Sequence, residues 1–373
     1  MIINQVVKID NSSIPTIPST LIKSALNALD GVSCQSTSAV TPDTLSEEVT
    51  VRRIAPGVTN QVFAITTVES NHTFVLRIYG TDTADLIDRN ISCAANAAAA
   101  EIGVAPNVIV RFVNGQIEEF SLGSMLTQPC FSDAKTLTCV AETIANLHNA
   151  PIPSVIAATD ETHPFLSMLS KWITLADELS TTCLPIELLH IERLYIEQLL
   201  RIPDAPCAAT RFANERVLGH NDLIGTNILI ESTADGQAVR ANLVDFDYAG
   251  VTVRAWDIGV LMGGYETLTP SEHVFFLEQY VEASYALSGA FIHDDKHFLR
   301  AFGAWIARFA CAVSLLNVVW FVICGETPST TIAQGGTPHC QRASNFRKEA
   351  SHRLTAYYTR KARLHITDEH INY

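Results

Sequence analysis

The sequence contains no two cysteines separated by two residues, although nine cysteines are spread over its 373 positions. Neither a zinc site nor a thioredoxin-like motif is therefore expected. The odd count, the irregular spacing and the lack of a secretory signal point to reduced thiols in a cytoplasmic chain. Charge is also scarce: 17% of residues carry it, and the balance is acidic, with a net charge of -14. Nucleic acid and anionic membranes attract basic patches, so both are excluded as main partners. Long hydrophobic runs are nearly absent. The one candidate, 309–323, is shorter than the roughly 20 residues a membrane span needs. It contains Ser314 and Asn317, so a buried core helix and no transmembrane segment are expected.

What is present suits a globular body. Apolar residues make up 47% of the chain, and the length allows two lobes with sizeable cores. Residues 1–45 show no clear period and read as an N-terminal extension, helical around 18–29 and otherwise loosely packed. From about 48, the runs VTVRRI, QVFAITT and TFVLRIYG read as antiparallel strands. A helix over 86–102 and strands near 107–112 and 116–121 follow, and the chain then becomes mainly helical. This gives an α+β chain with lobes at 46–123 and 124–373. Thr269, Pro270 and Glu272 form a capping box at the start of one helix.

The segment VLGHNDLIGTNILI, residues 217–230, sets His220, Asn221, Asp222 and Asn227 between two apolar runs. Two β-prone runs then flank Asp235-Gly236, a strong hairpin signal. Folded about that turn, the strands pair where residue numbers sum to about 471, which brings Asn227 beside Val244 and Asp245. Asp222 lies in the loop just before. An amide oxygen and a carboxylate are hard ligands that suit Mg²⁺, which takes few protein ligands plus waters and substrate phosphates, and a second carboxylate alongside can act as a base. The D-x-x-x-x-N spacing is also that of the protein-kinase catalytic loop.

These residues resemble the choline/ethanolamine kinase family, whose fold is similar to the protein kinases: a small antiparallel-sheet lobe followed by a larger, mainly helical one. HNDLIGTNIL resembles its catalytic loop, and LVDFDYAGVTVRAWDIG its metal-binding acid with the segment that follows. GVTNQVFAIT is similar to its phosphate loop, and FVLRIYG to the strand whose arginine replaces the usual kinase lysine. IGVAPNVI, NGQIEEFSLG and IANLHNAPIP match the hinge region and the first long helix of the second lobe. The resemblance runs from about residue 50 to 325. It implies ATP-dependent phosphorylation of the hydroxyl of ethanolamine or choline, the entry step of phospholipid headgroup synthesis. Asp222 would orient or deprotonate that hydroxyl, while Asn227 and Asp245 hold Mg²⁺. Arg77 would reach the nucleotide phosphates, bidentately as a guanidinium can. Gly57, Thr59 and Asn60 would cover the phosphates, and Glu119 marks the hinge whose backbone bonds adenine. His220 then braces the loop, His148 packs at a helix end, and Asp257 supports the catalytic loop from below.

The chain also departs from the family. The helix glutamate that pairs with the basic strand residue is replaced by Ser92, with Asp88 one turn earlier as the nearest acid. The acid after the DIG segment is displaced to Glu266, and the paired tryptophans of the amine pocket become Asn317 and Trp320. Tyr265, Glu266 and Trp320 are the expected contacts of a small amino-alcohol substrate, with Trp320 as an aromatic wall and Glu266 or a neighbouring acid balancing the ammonium. Two other readings stay open: an aminoglycoside-phosphotransferase-like kinase, and a nucleotide-binding pseudokinase. A homodimer is compatible with the sequence, which does not fix the oligomeric state.

Overall fold

A computed structural model of the chain describes residues 3–4, 17, 21–22, 49–55, 59–68, 71–80, 83–157, 163–179, 184–264, 268–288, 296–326 and 339–370. The chain divides into two compact units. One gathers Met1–Asp85, Pro106–Ser121 and Ser329–Pro338, and the other Leu86–Ala105, Leu122–Pro328 and His339–Tyr373.

The first unit is built on a six-stranded sheet. Its strands are β1 (Ile3–Asn4), β2 (Val49–Ala55), β3 (Asn60–Thr67), β4 (Thr73–Tyr79), β5 (Val108–Phe112) and β6 (Gly115–Glu119). The spatial order is β1-β5-β6-β4-β3-β2. All pairs are antiparallel except β1 with β5. Period-two alternation puts Phe74, Leu76 and Ile78 of β4 on one buried face. Leu21 and Ile22 are buried in the same core. The N-terminal segment thus contributes an edge strand, where the sequence predicts loose packing, and two core side chains from the stretch that the sequence predicts as helical.

The second unit is mainly helical. Its elements include α1 (Arg89–Glu101), α2 (Ala134–Asn149), α3 (Pro164–Glu178), α4 (Ile186–Leu199), β8 (Arg216–Gly219), β9 (Ile228–Ser232) and β10 (Ala238–Leu243). After β11 (Gly250–Val253) come α5 (Arg254–Gly264), α6 (Pro270–Ser288), α7 (Lys296–Glu326) and α8 (His339–His370). A short strand, β7 (Ser124–Met125), flanks β9. Helix α7 carries the long apolar run. It packs on α5 and α8, and Phe309, Cys311, Leu315 and Val318 are fully buried. Its hydropathy is that of a core helix, with 72% of its most apolar stretch buried inside the protein. The capping box at α6 forms as the sequence predicts: Thr269 N–H donates to Glu272 and Glu272 N–H donates back to the Thr269 hydroxyl.

One buried carboxylate fixes the loop between β8 and β9. Strand β11 pairs antiparallel with β8, Gly250 facing Gly219. The chain then turns into α5, which carries Asp257 back beneath the loop. Asp257 is fully buried and accepts the backbone N–H groups of His220 at 2.7 Å and Asn221 at 2.6 Å. Gly219 is what admits it: a Cβ there would lie 2.0 Å from Thr252 Cγ2 and 2.9 Å from Asp257 Oδ2. His148, at the end of α2, adds its Nε2 to Asp257 at 3.1 Å and its Nδ1 to the Tyr280 hydroxyl at 2.6 Å. His148 therefore does more than pack at a helix end. Arg254, at the head of α5, bonds Glu215, Tyr280 and Asn149 and joins α5 to α2 and α6.

Burial pushes the imidazoles of His148 and His220 below the ordinary histidine range, so both are neutral. Burial alone would raise Asp257, but the hydrogen bonds from the His148 side chain and the His220 backbone N–H hold its carboxyl below the usual carboxylate value. The unfolded chain takes up protons on these histidines below about pH 6.5, whereas the folded chain does not. Stability is therefore expected to decline as pH falls from about 6.5, well before Asp257 begins to lose its contribution below about pH 4. Melting temperatures between about pH 7 and pH 5 check this. A flat profile over that range would contradict the buried neutral pair.

Candidate functional site

The β9–β10 hairpin adopts the register that the sequence predicts. Leu243 faces Ile228, Asn242 faces Leu229 and Ala241 faces Ile230, and Val244 N–H donates to the Asn227 carbonyl at 2.9 Å. Gly236 closes the turn with φ of 83°, a left-handed conformation that glycine adopts without strain. Asn227 and Asp245 thus share one end of the hairpin.

Asn227 is buried, and its amide nitrogen donates to both the carbonyl and Oδ2 of Asp222, each at 2.9 Å. That fixes Asp222 and leaves the amide oxygen of Asn227 as an acceptor. The Asp222 N–H donates to His220 Nδ1 at 3.3 Å, while His220 Nε2 donates to the Val244 carbonyl at 2.9 Å. His220 braces the loop against the hairpin with both ring nitrogens engaged. Burial, then the neighbouring Asp245 carboxylate, push the Asp222 carboxyl up to about 7. Asn221 and Asp245 both sit at positive φ, 63° and 69°. Such backbone costs about 1–3 kcal/mol in a residue other than glycine and persists where the surroundings over-determine it. Asp247, two residues on, pairs with Arg89 of α1 at 2.6 Å.

Asp222 lines a cavity of about 280 Å³ whose walls include Trp172, Tyr248, Trp256, Trp320 and Phe321. Trp320 is held in place by its indole N–H, which donates to the Tyr248 hydroxyl at 2.7 Å. The Tyr248 ring meets Trp172 edge-on at 5.6 Å. The structure thus brings Asp222 and Trp320 into one cavity. Tyr265 and Glu266 lie outside the described residues. Two buried polar atoms on residues of this wall, Asn221 Oδ1 and Trp256 Nε1, have no hydrogen-bond partner among the described residues. The sequence reading missed Trp172, Asn221 and the α8 residues Arg353 and Arg360, which also line the cavity. Trp172, Arg353 and Arg360 come from distant helices and leave no local signal, whereas Asn221 sits in the motif itself, beside Asp222.

In the other unit, Arg77 is buried on β4. Arg77 Nε donates to Glu118 Oε1 at 3.1 Å. Gln116 donates to the same oxygen at 2.6 Å and accepts from the Tyr79 hydroxyl at 2.8 Å. The register explains the pairing. Arg77 faces Gln116 across β4 and β6, so Glu118 is its diagonal neighbour on the same face. Asp88 instead caps α1, accepting the N–H groups of Asn90 and Ile91, and the Ser92 hydroxyl turns back to the Arg89 carbonyl. The signal for Glu118 was present in QIEEF, but reading it needs the strand register. Asn60 opens β3 and is buried. The Thr59 carbonyl accepts the Gly80 N–H at 2.9 Å. The Glu119 side chain accepts from both the amide and the backbone of Asn107, which closes the β5–β6 end of the sheet. Gly57 lies outside the described residues.

Three comparisons bear on this arrangement. Among curated proteins, the chain is 27% identical over 218 residues to ethanolamine kinase 2 of Mus musculus, covering 57% of this chain and 52% of that one. It is 26% identical over 284 residues to ethanolamine kinase of Drosophila melanogaster, covering 69% and 50%. The chain therefore spans about half to two thirds of the length of the curated relatives it matches. Among solved structures it is similar to a choline kinase from Cryptosporidium parvum, with a TM-score of 0.68, 19% identity, and 87% of this chain and 92% of that one covered. A Plasmodium vivax ethanolamine kinase gives a TM-score of 0.64 at 18% identity, covering 83% and 84%. These likenesses establish the fold as protein-kinase-like, an antiparallel-sheet lobe with a mainly helical one. The choline/ethanolamine kinase family model matches residues 51–358, most of the chain, and the protein belongs to that family.

Proposed function

We propose that this protein transfers the γ-phosphoryl group of ATP to the hydroxyl of a small amino alcohol of the ethanolamine and choline class, in the cytoplasm, at the entry to phospholipid headgroup synthesis. The observation that carries this reading is Asp222: a carboxylate in the wall of an aromatic cavity, with Oδ2 engaged by Asn227. Oδ1 is the oxygen that receives the acceptor's proton. A group worth about 10²–10⁴ in rate as general base is best matched to neutral pH, and an Asp222 carboxyl near 7 is so matched.

The family implies a divalent cation with the nucleotide, and the residues fit one. The Asn227 amide nitrogen is committed to Asp222, so its oxygen is free to coordinate, and Asp245 supplies a carboxylate. The repulsion between Asp222 and Asp245 is the excess of negative charge that such an ion relieves. Mg²⁺ bound there would neutralise charge on the transferring phosphoryl group, whose loose transition state depends on positioning and electrostatics. Arg77, held in the sheet by Glu118, would bind nucleotide phosphate, with Thr59, Asn60 and the segment around Gly57 covering it.

On this reading Asp222→Asn is expected to keep ATP binding while kcat falls by about two or more orders of magnitude. Steady-state kinetics beside a nucleotide-binding titration test it, and undiminished turnover would remove Asp222 from the chemistry. Trp320→Ala is expected to raise KM for the amine but not for ATP. The cost is about 0.5–2 kcal/mol, larger for choline than for ethanolamine, because a quaternary ammonium has ring faces to bind and no N–H to donate. Equal losses for both amines, with a lowered melting temperature, would instead make Trp320 a packing residue.

A further inference from the structure

Helix α1 follows β4 in the chain but groups with the second unit. It packs there on the short 3₁₀ turn Phe246–Tyr248, which follows directly on Asp245. Arg89, the first residue of α1, makes a polar tie to that turn: its Nη1 donates to Asp247 Oδ1 at 2.6 Å. The two side chains are 23% and 7% exposed, so salt screens the pair less than it would an ion pair at the open surface. Asp88 caps the same end of the helix, and Ile91 packs beside Gly250, where an added Cβ would lie 3.4 Å from Ile91 Cγ2.

The turn that Arg89 grips carries two groups of the site. Asp245 heads it, at φ of 69°. Tyr248 ends it, with its hydroxyl accepting the Trp320 indole N–H and its carbonyl accepting the Asn221 amide. A left-handed residue other than glycine keeps its conformation where the surroundings over-determine it. From the catalytic loop, His220 holds the Val244 carbonyl and Asn221 the Tyr248 carbonyl. Arg89 adds a hold on Asp247 from a helix 158 residues away in the chain. We propose that Arg89 is a positioning residue for the transfer reaction: through Asp247 it fixes Asp245 for the divalent cation and Tyr248 for the wall of the acceptor cavity. This rests on the reading of Asn227 and Asp245 as the cation site and of the cavity beside Asp222 as the acceptor site. Because one turn carries both groups, the two subsites loosen together when the pair is broken. The sign of the change is informative, since deleting a positive charge that merely shields the site would tighten a cation there.

The test compares the wild type with Arg89→Gln, Arg89→Lys, Asp88→Ala and Asp245→Ala. Binding of Mn²⁺ in the presence of ADP is read from the paramagnetic-resonance signal of the free ion. Binding of ethanolamine is read from the concentration that half-saturates its rise in melting temperature, so neither readout needs turnover. Arg89→Gln is expected to weaken both by about tenfold, the contribution of one charge-assisted hydrogen bond. Arg89→Lys, which keeps the charge, is expected to recover most of each loss. Asp88→Ala removes the cap of the same helix but leaves Arg89 and Asp247 in place, and both affinities are expected to stay near wild type. Tighter Mn²⁺ in Arg89→Gln would make the guanidinium a charge shield. Unmoved affinities, or losses equalled by Asp88→Ala, would make it a structural residue of α1. Each of these results overturns the inference. Asp245→Ala checks the cation reading separately: if it binds Mn²⁺ as the wild type does, that reading fails and ethanolamine alone decides. If ethanolamine gives no shift in the wild type, the acceptor reading fails and Mn²⁺ alone decides. In either case a loss in Arg89→Gln that Asp88→Ala does not share retains the clamp, and no loss removes it.

Discussion

Asp257 holds two consecutive backbone N–H groups of the loop that carries Asp222, and the rest of the site depends on that contact. A buried carboxylate left without partners is strongly destabilising, whereas one fully engaged by donors fixes its surroundings. Here the donors are the loop itself and His148, which in turn bonds Tyr280. The loop is thereby tied to α2, α5 and α6 at once. Asn221 can occupy the left-handed region because its N–H is held from below and its side chain donates to the Tyr248 carbonyl. Without that anchorage the strain would relax and Asp222 would lose its position.

Above the anchor the electrostatics run the other way. Asp222, Asp245 and Asp247 crowd negative charge at one end of a hairpin, and Arg89 pairs with Asp247. A carboxyl raised by burial and then by a neighbouring acid, as Asp222 is beside Asp245, is common at sites that bind cations or move protons. The same crowding that costs folding free energy makes a proton on Asp222 easy to hold near neutrality. The first unit resolves its charge differently: Arg77 is buried but has Glu118 beside it, and Gln116 and Tyr79 complete the network on the same sheet face.

The cavity draws its walls from distant parts of the chain. Asn221 and Asp222 come from the β8–β9 loop, while Trp172, Trp320, Arg353 and Arg360 come from α3, α7 and α8. Those helices are fixed by their own apolar packing, and Tyr248, which meets Trp172 and Trp320 and accepts the Asn221 side chain, links them to the loop that Asp257 holds.

The sequence by itself determined the features that depend on short separations. The Asp235-Gly236 turn and alternating runs fixed the hairpin register, and hence the meeting of Asn227 with the end of β10, because a tight turn leaves one pairing in which the buried faces agree. The capping box at Thr269 and the burial of the 309–323 run were legible for the same local reasons. Tertiary structure alone decided the partner of Arg77. The family resemblance put the expected acid on the following helix, where Ser92 replaces it and Asp88 is nearest, but a carboxylate that accepts from Arg77 comes from a strand 41 residues away, visible only once β4 and β6 are paired. It also decided the acidity of Asp222, which rests on burial and on Asp245, and the charge of the cavity, which rests on arginines more than 130 residues further along the chain. Such contacts follow from how elements pack, and packing leaves no periodic trace in the residues that meet.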